Sequence, residues 1–244
     1  MIFVLRQIQK KCREQNMGLY AAFENPTKAS DTASPDGLWK ILACLGCLPK
    51  FLTIIRQLHE GQQGQMKHNG SLSGSVPISN GIKQGCVPAP TLVSLFFSIM
   101  LCEAKEDLPY GIYIRFRTEG SLFNLWRLPA CTKTMEELIT ELLFADDCAL
   151  LAHTEEALQH IVNRFSDAAN NFGLPISLRK TEVLYQTPPR VAYDPPRINI
   201  DDINLNAVDH FTYLGSVISN DATVSKDLDN RLSKASSSFG RLTK

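Results

Sequence analysis

The sequence predicts a mixed α+β fold, and three observations predict it. Leu142-Leu143-Phe144-Ala145-Asp146-Asp147-Cys148-Ala149-Leu150-Leu151 is an apolar block interrupted by two acids, the pattern of a buried strand bent into a hairpin. Residues 154–172 keep helical spacing, with Leu158, Ile161, Val162, Phe165, Ala168, Ala169 and Phe172 on one face. Short apolar stretches alternate with helical ones along the rest of the chain.

Taken in order, residues 1–17 read as a helix whose apolar Ile2, Phe3, Leu5 and Ile8 lead into a charged tail. Leu19 to Phe23 is a strand, followed by a loop that ends at Ser34-Pro35. Ser at the N-cap with Pro at the first helical position starts a helix carrying Leu38, Trp39, Ile41, Leu42 and Leu45, and Gly46 stops it. Pro49 opens a second helix that runs to Gly61. The Gly, Gln and Asn residues of 61–70 suit hairpins. A Gly/Pro-punctuated loop, 80–90, feeds the apolar helix Thr91 to Leu101. Residues 103–135 read as irregular with a short hairpin over Ile112 to Phe116. Thr154 caps the amphipathic helix, Glu155 and Glu156 suit its first turn, and Gly173 ends it. A strand with Ile176 and Lys180 and the Val183-Leu184-Tyr185 run lead into two proline pairs. Ile198 to Ile200 and Phe211 to Gly215 read as short strands, and 224–244 as a helix.

Composition narrows the function. With 244 residues the chain has length for one large domain or two small ones. The formal net charge is +0, so any grip on nucleic acid is expected to be local or to have been carried by sequence that is missing. Seven scattered cysteines without a secretory signal point to reduced thiols, an intracellular cytoplasmic or nuclear setting and no disulfide-linked partner. Cys44 and Cys47 form a lone C-x-x-C that nothing completes into a zinc site. Thr91 to Leu101 is too short to cross a bilayer, so no membrane partner is expected.

Asp146 and Asp147 carry the sharpest chemical signal. Adjacent acids at a turn are common because Asp suits turn geometry and water. Carboxylates carried towards an interior cost free energy unless a cation meets them, and a divalent metal is the natural partner.

The ordered motifs resemble the palm of a reverse transcriptase, in wording close to that of non-LTR (LINE-type) retrotransposons. Phe144-Ala145-Asp146-Asp147 is similar to the metal-binding hairpin of that family. Gly81-Ile82-Lys83-Gln84-Gly85-Cys86 with Pro90 resembles its loop and helix at the template and incoming nucleotide. Gly173 to Thr181 resembles the segment whose lysine, here Lys180, lies near the triphosphate. Phe211 to Gly215 resembles the primer-grip hairpin, with Tyr213, Leu214 and Gly215 as its grip residues.

The resemblance implies a right-hand polymerase palm, an antiparallel RRM-like sheet backed by helices. It covers 1–187 with a fingers-side helix at 1–17, a linker and primer-grip hairpin at 188–223, and the start of a thumb at 224–244. The fingers would precede Met1 and are expected to be missing from this truncated copy. The implied reaction is extension of a DNA primer with dNTPs on an RNA template. Two Mg²⁺ ions about 4 Å apart would be held by Asp146, Asp147 and a third carboxylate from the strand at 19–25.

At that third position the chain departs from the pattern. The register set by Thr27-Lys28-Ala29 and Asp31 puts Asn25 where the ligand Asp belongs, which keeps the size and loses the charge. Glu24 is one residue away, and alternation along a strand turns it to the opposite face. Ser30 stands in place of the aromatic that packs under the sugar, and with Gln84, Gly85 and Lys180 it completes the expected nucleotide contacts. A catalytically defective copy is therefore expected, with a non-enzymatic remnant that weakly binds nucleic acid or protein as the alternative.

Overall fold

The structure is a computed structural model that describes residues 1–24, 32–83, 86–106, 108–117, 134–145, 147–174 and 176–242. The chain divides into two compact units. The first comprises Met1–Glu24, Leu108–Asn163 and Leu178–Lys244; the second comprises Asn25–Asp107 and Arg164–Ser177.

In the first unit, α1 (Ile2–Glu14) leads to β1 (Leu19–Glu24). In the second, α2 (Pro35–Cys44) begins where the sequence places it: the Ser34 side chain accepts the Gly37 N–H at 3.3 Å, and Pro35 occupies the first turn. Helix α3 (Pro49–His59) follows, then four two-residue strands, β2 (Gln63–Gly64), β3 (Lys67–His68), β4 (Ser71–Leu72) and β5 (Val76–Pro77). They pair as nested hairpins, β2 with β5 and β3 with β4. Helix α4 (Ala89–Lys105) extends beyond the apolar run at both ends. It buries Phe96 and Phe97, which meet Phe172 and Phe165 edge-on.

Back in the first unit, β6 (Ile112–Arg117) pairs antiparallel with β7 (Thr134–Ile139). The partner of Ile112 to Phe116 is thus a strand well downstream and not a tight hairpin arm. Strands β8 (Glu141–Phe144) and β9 (Asp147–Ala152) form the acid-bearing hairpin, and α5 (Glu155–Asn171) runs from the first unit into the second. Thr154 caps α5 by accepting the Ala157 N–H at 3.2 Å. The remaining elements are β10 (Glu182–Gln186), β11 (Asn199–Ile200), β12 (Ile203–Asn204), β13 (Asn206–Val208), β14 (His210–Tyr213), β15 (Ser216–Ser219) and α6 (Ser225–Leu242).

The central sheet has the order β13-β10-β1-β9-β8. Its pairs are antiparallel except at one edge, where β13 runs parallel to β10, so the antiparallel expectation holds for every pair but that one. Strand β1 at its centre is buried on both faces, which explains its near-continuous apolar sequence. Odd-numbered β1 residues Leu19, Ala21 and Phe23 join Ala149, Leu151 and Leu184 in a core with Leu5, Ile8 and Cys12 of α1. Polar ties fix that helix: Gln9 donates to the Ser219 carbonyl at 2.8 Å, and its own carbonyl accepts from Gln186 at 2.9 Å. Among the described residues, no helix is long and apolar enough to cross a membrane.

Candidate active site

Asp147 is the first residue of β9, paired in register with Phe144 across a two-residue loop. It therefore belongs to the ladder and not to the tip, where the sequence suggested both acids would sit. Ala145, the first loop residue, has φ +53°, a left-handed conformation that L side chains resist. Asp146 lies outside the described residues.

Register assigns the faces. Phe23 is opposite Ala149 and Glu24 is opposite Cys148. Successive side chains alternate, so Asp147 shares the face of Ala149 and Phe23, while Glu24 shares that of Cys148. On the Asp147 face, Phe23 stacks on Phe211 with centroids 4.2 Å apart and meets Tyr213 at 5.1 Å. Tyr213 ends β14, is buried, and its hydroxyl donates a long 3.5 Å bond to the Asp147 carbonyl. Burial, with Cys148 and Asp147 nearby, pushes the Tyr213 phenol upward, so it stays a protonated donor. Leu214 and Gly215 form the two-residue turn between Tyr213 and Ser216, with φ of +48° and +80°. Both values being positive, the turn has the twist that suits a tight hairpin. The β14–β15 hairpin thus packs beside the strand bearing Asp147.

The opposite face holds a group that sequence reasoning placed but did not develop. Glu24 is 1% exposed, and its Oε2 accepts the Thr181 hydroxyl at 2.9 Å. Its Oε1 is buried with no hydrogen-bond partner among the described residues. Burial pushes this carboxyl up to about 7, against the lowering effect of the Thr181 hydroxyl. The one signal in the sequence was an acid at the end of an apolar strand.

Lys180 does not lie in a strand as expected. It is exposed at the end of a turn at 178–180, one residue before Thr181 and two before β10 begins. The structure thus links Asp147 to Tyr213, and the Lys180 segment to Glu24. Asn25, Ser30, Gln84 and Gly85 lie outside the described residues. Of the loop around the last two, Gly81 donates to the Ala33 carbonyl at 2.9 Å, and the Cys86 thiol lies 3.0 Å from the Lys83 carbonyl, both within the second unit.

For a hard divalent cation, the donor chemistry at the hairpin fits: Asp147 presents carboxylate oxygens, the ligand type that Mg²⁺ takes. Among the described residues no three His, Cys, Asp or Glu side chains cluster as a metal site, so Asp147 alone there is not a complete ligand set.

Residues 4–218 match the family described as Reverse transcriptase (RNA-dependent DNA polymerase). No curated protein matches the chain. Among solved structures, it is similar to apo telomerase from Candida tropicalis truncated from its C-terminal domain, at 12% identity and a TM-score of 0.56, over 89% of this chain and 38% of that one. It is also similar to telomerase from Candida albicans in complex with the TWJ fragment of telomeric RNA, at 12% identity and a TM-score of 0.54, over 91% of this chain and 34% of that one. The chain thus spans little more than a third of those proteins, and at such identities the likeness shows the fold alone. With the family match running through α1, the acid-bearing hairpin and the β14–β15 hairpin, the chain belongs to the reverse transcriptase (RNA-dependent DNA polymerase) family.

Proposed function

We propose that this chain is the palm of a non-LTR (LINE-type) reverse transcriptase, built to extend a DNA primer with dNTPs on an RNA template and catalytically defective in this copy. The observation that carries the reading is Asp147 at the start of β9, beside β1 and braced by Tyr213. In this reading 1–187 is the palm with a fingers-side helix, 188–223 the linker and primer-grip hairpin, and 224–244 the start of the thumb.

Asp146 and Asp147 would hold the divalent ions, with Mg²⁺ the natural occupant of carboxylate oxygens. Such ions, when bound, supply charge stabilisation for in-line displacement at a phosphate. The protein's own part is positional. The β8–β9 ladder fixes the Asp147 backbone, and Phe23, Phe211 and Tyr213 form the apolar floor behind it. Leu214 and Gly215, at the turn of the next hairpin, would support the primer backbone. Lys180 would meet the triphosphate as a compact cation, and Ser30, Gln84 and Gly85 would line the nucleotide site.

Asn25 is the defect. An amide in place of a ligand carboxylate would remove a negative charge from the residues that would hold the cations, a loss on the order of several kcal/mol of transition-state stabilisation and a rate loss of about a thousandfold or more. Glu24 does not replace it, because it faces away from Asp147 into a site closed to water.

Primer extension on an RNA template, with Mg²⁺ and with Mn²⁺, tests the reading. The chain is expected to give no extension above that of an Asp147→Ala variant, and robust extension by the unaltered chain would overturn the defect. A second reading, a non-enzymatic remnant that binds RNA weakly, is favoured by the same Asn25. Salt-dependent RNA binding without extension, even after Asn25→Asp, would select it.

A further inference from the structure

We propose that Glu24 is a positioning residue whose carboxylate, by holding the Thr181 hydroxyl, clasps the turn that carries Lys180 to the end of β1. The backbone ladder between β1 and β10 has its last pair at Phe23 and Glu182. Thr181 and Lys180 lie beyond that pair. The 2.9 Å bond from Thr181 to Glu24 Oε2 extends the tie one residue further, and Thr181 is fully buried. Lys180 is the next residue and is exposed.

The choice of residue supports the assignment. Glu24 shares its face of the sheet with the buried apolar residues Ala22, Cys148 and Leu150. There the chain buries a carboxyl with one oxygen unpartnered among the described residues, which costs free energy. Among the described residues, its one hydrogen bond runs to the residue beside Lys180. A long lysine side chain reaches an anion with less loss of freedom when the backbone beneath it is already held. The consequence for ligand binding rests on the proposed role of Lys180 at a triphosphate; the clasp itself does not.

The test pairs hydrogen exchange at the amides of 178–181 with calorimetric binding of inorganic tripolyphosphate. Glu24→Leu and Thr181→Val should each speed exchange in 178–181 by about tenfold, leave 183–186 and α1 unchanged, and weaken tripolyphosphate binding by about threefold. Glu24→Gln keeps an acceptor for the hydroxyl and should match the parent in both readouts. The double variant should be no worse than either single change. The clasp is overturned if exchange in 178–181 stays at the parent rate in Glu24→Leu, if it rises equally throughout β1 and β10, or if Glu24→Gln behaves like Glu24→Leu. Lys180→Ala separates the two layers. If it leaves tripolyphosphate affinity unchanged, the triphosphate role of Lys180 fails, while the exchange data still decide the clasp.

Discussion

Asp227, at the start of α6, and Glu24, at the end of β1, are both buried acids of the same unit, yet among the described residues the first accepts from three donors and the second from one. Asp227 Oδ1 takes the Val217 N–H at 2.8 Å, and Oδ2 takes Arg6 at 2.8 Å and Arg231 at 3.1 Å. The Val217 N–H, then Arg6 and Arg231, hold its carboxyl at about 2 against the effect of burial. Glu24 has Thr181 alone among the described residues, and burial pushes it to about 7. The same functional group therefore joins α1, β15 and α6 in one place and strains the fold in the other. Where partners converge, the sequence serves folding. Next to the candidate catalytic position, local consistency gives way, as is common at functional sites.

The largest expected effect is on the well-partnered acid. Asp227→Ala leaves the buried Val217 N–H without its acceptor and Arg6 without its partner, and should lower unfolding stability by about 3 kcal/mol in urea denaturation at pH 7. A loss under 1 kcal/mol would mean that the three bonds are surface decoration.

The next prediction reverses the sign at Glu24. A carboxyl raised from 4.5 to about 7 binds its proton more tightly when folded, so its favourable contribution is complete below pH 4.5 and disappears as pH rises through 7. Stability should fall by about 3 kcal/mol across that window, and the Glu24→Gln variant should remove the fall. Equal pH slopes in parent and variant would show that Glu24 is not the group responsible.

Asp227 predicts the opposite slope in acid. Its contribution is complete above pH 4 and is lost as pH falls through about 2. About 1–2 kcal/mol should disappear over that range, discounted because Arg231 is more than half exposed. Asp227→Asn should abolish this limb in pH-dependent melting. The smallest effect concerns the hairpin itself: Ala145→Gly relieves the positive φ and should raise stability by about 0.5–1 kcal/mol. No gain would place the strain elsewhere in the loop.

The comparison also explains what the sequence could reveal. Short-range patterns were legible: the Ser34 cap, the amphipathic α5 and the apolar block around Asp147 each depend on residues a few positions apart. The Asp227 clamp was not, because Arg6 lies 221 residues away, and the run around Asp227 reads locally as a solvated helix face. The partner of β6 was missed for the same reason, since it follows a long intervening segment. Lys180 was assigned to a strand because its neighbours are β-formers, whereas the turn at 178–180 delays β10 until Glu182. Of the candidate site, the Asp147 hairpin and Tyr213 were readable as motifs. The buried state of Glu24 required the register of three strands.

The central claim is that the hairpin acid belongs to a divalent-metal site weakened by a single neutral residue. Its most direct measurement is a Mn²⁺ titration, read by electron paramagnetic resonance, of the chain beside its Asn25→Asp and Asp147→Ala variants. The account predicts weak binding by the unaltered chain, at least about tenfold tighter binding by Asn25→Asp, and none by Asp147→Ala. Equal affinity in the chain and in Asn25→Asp would contradict it.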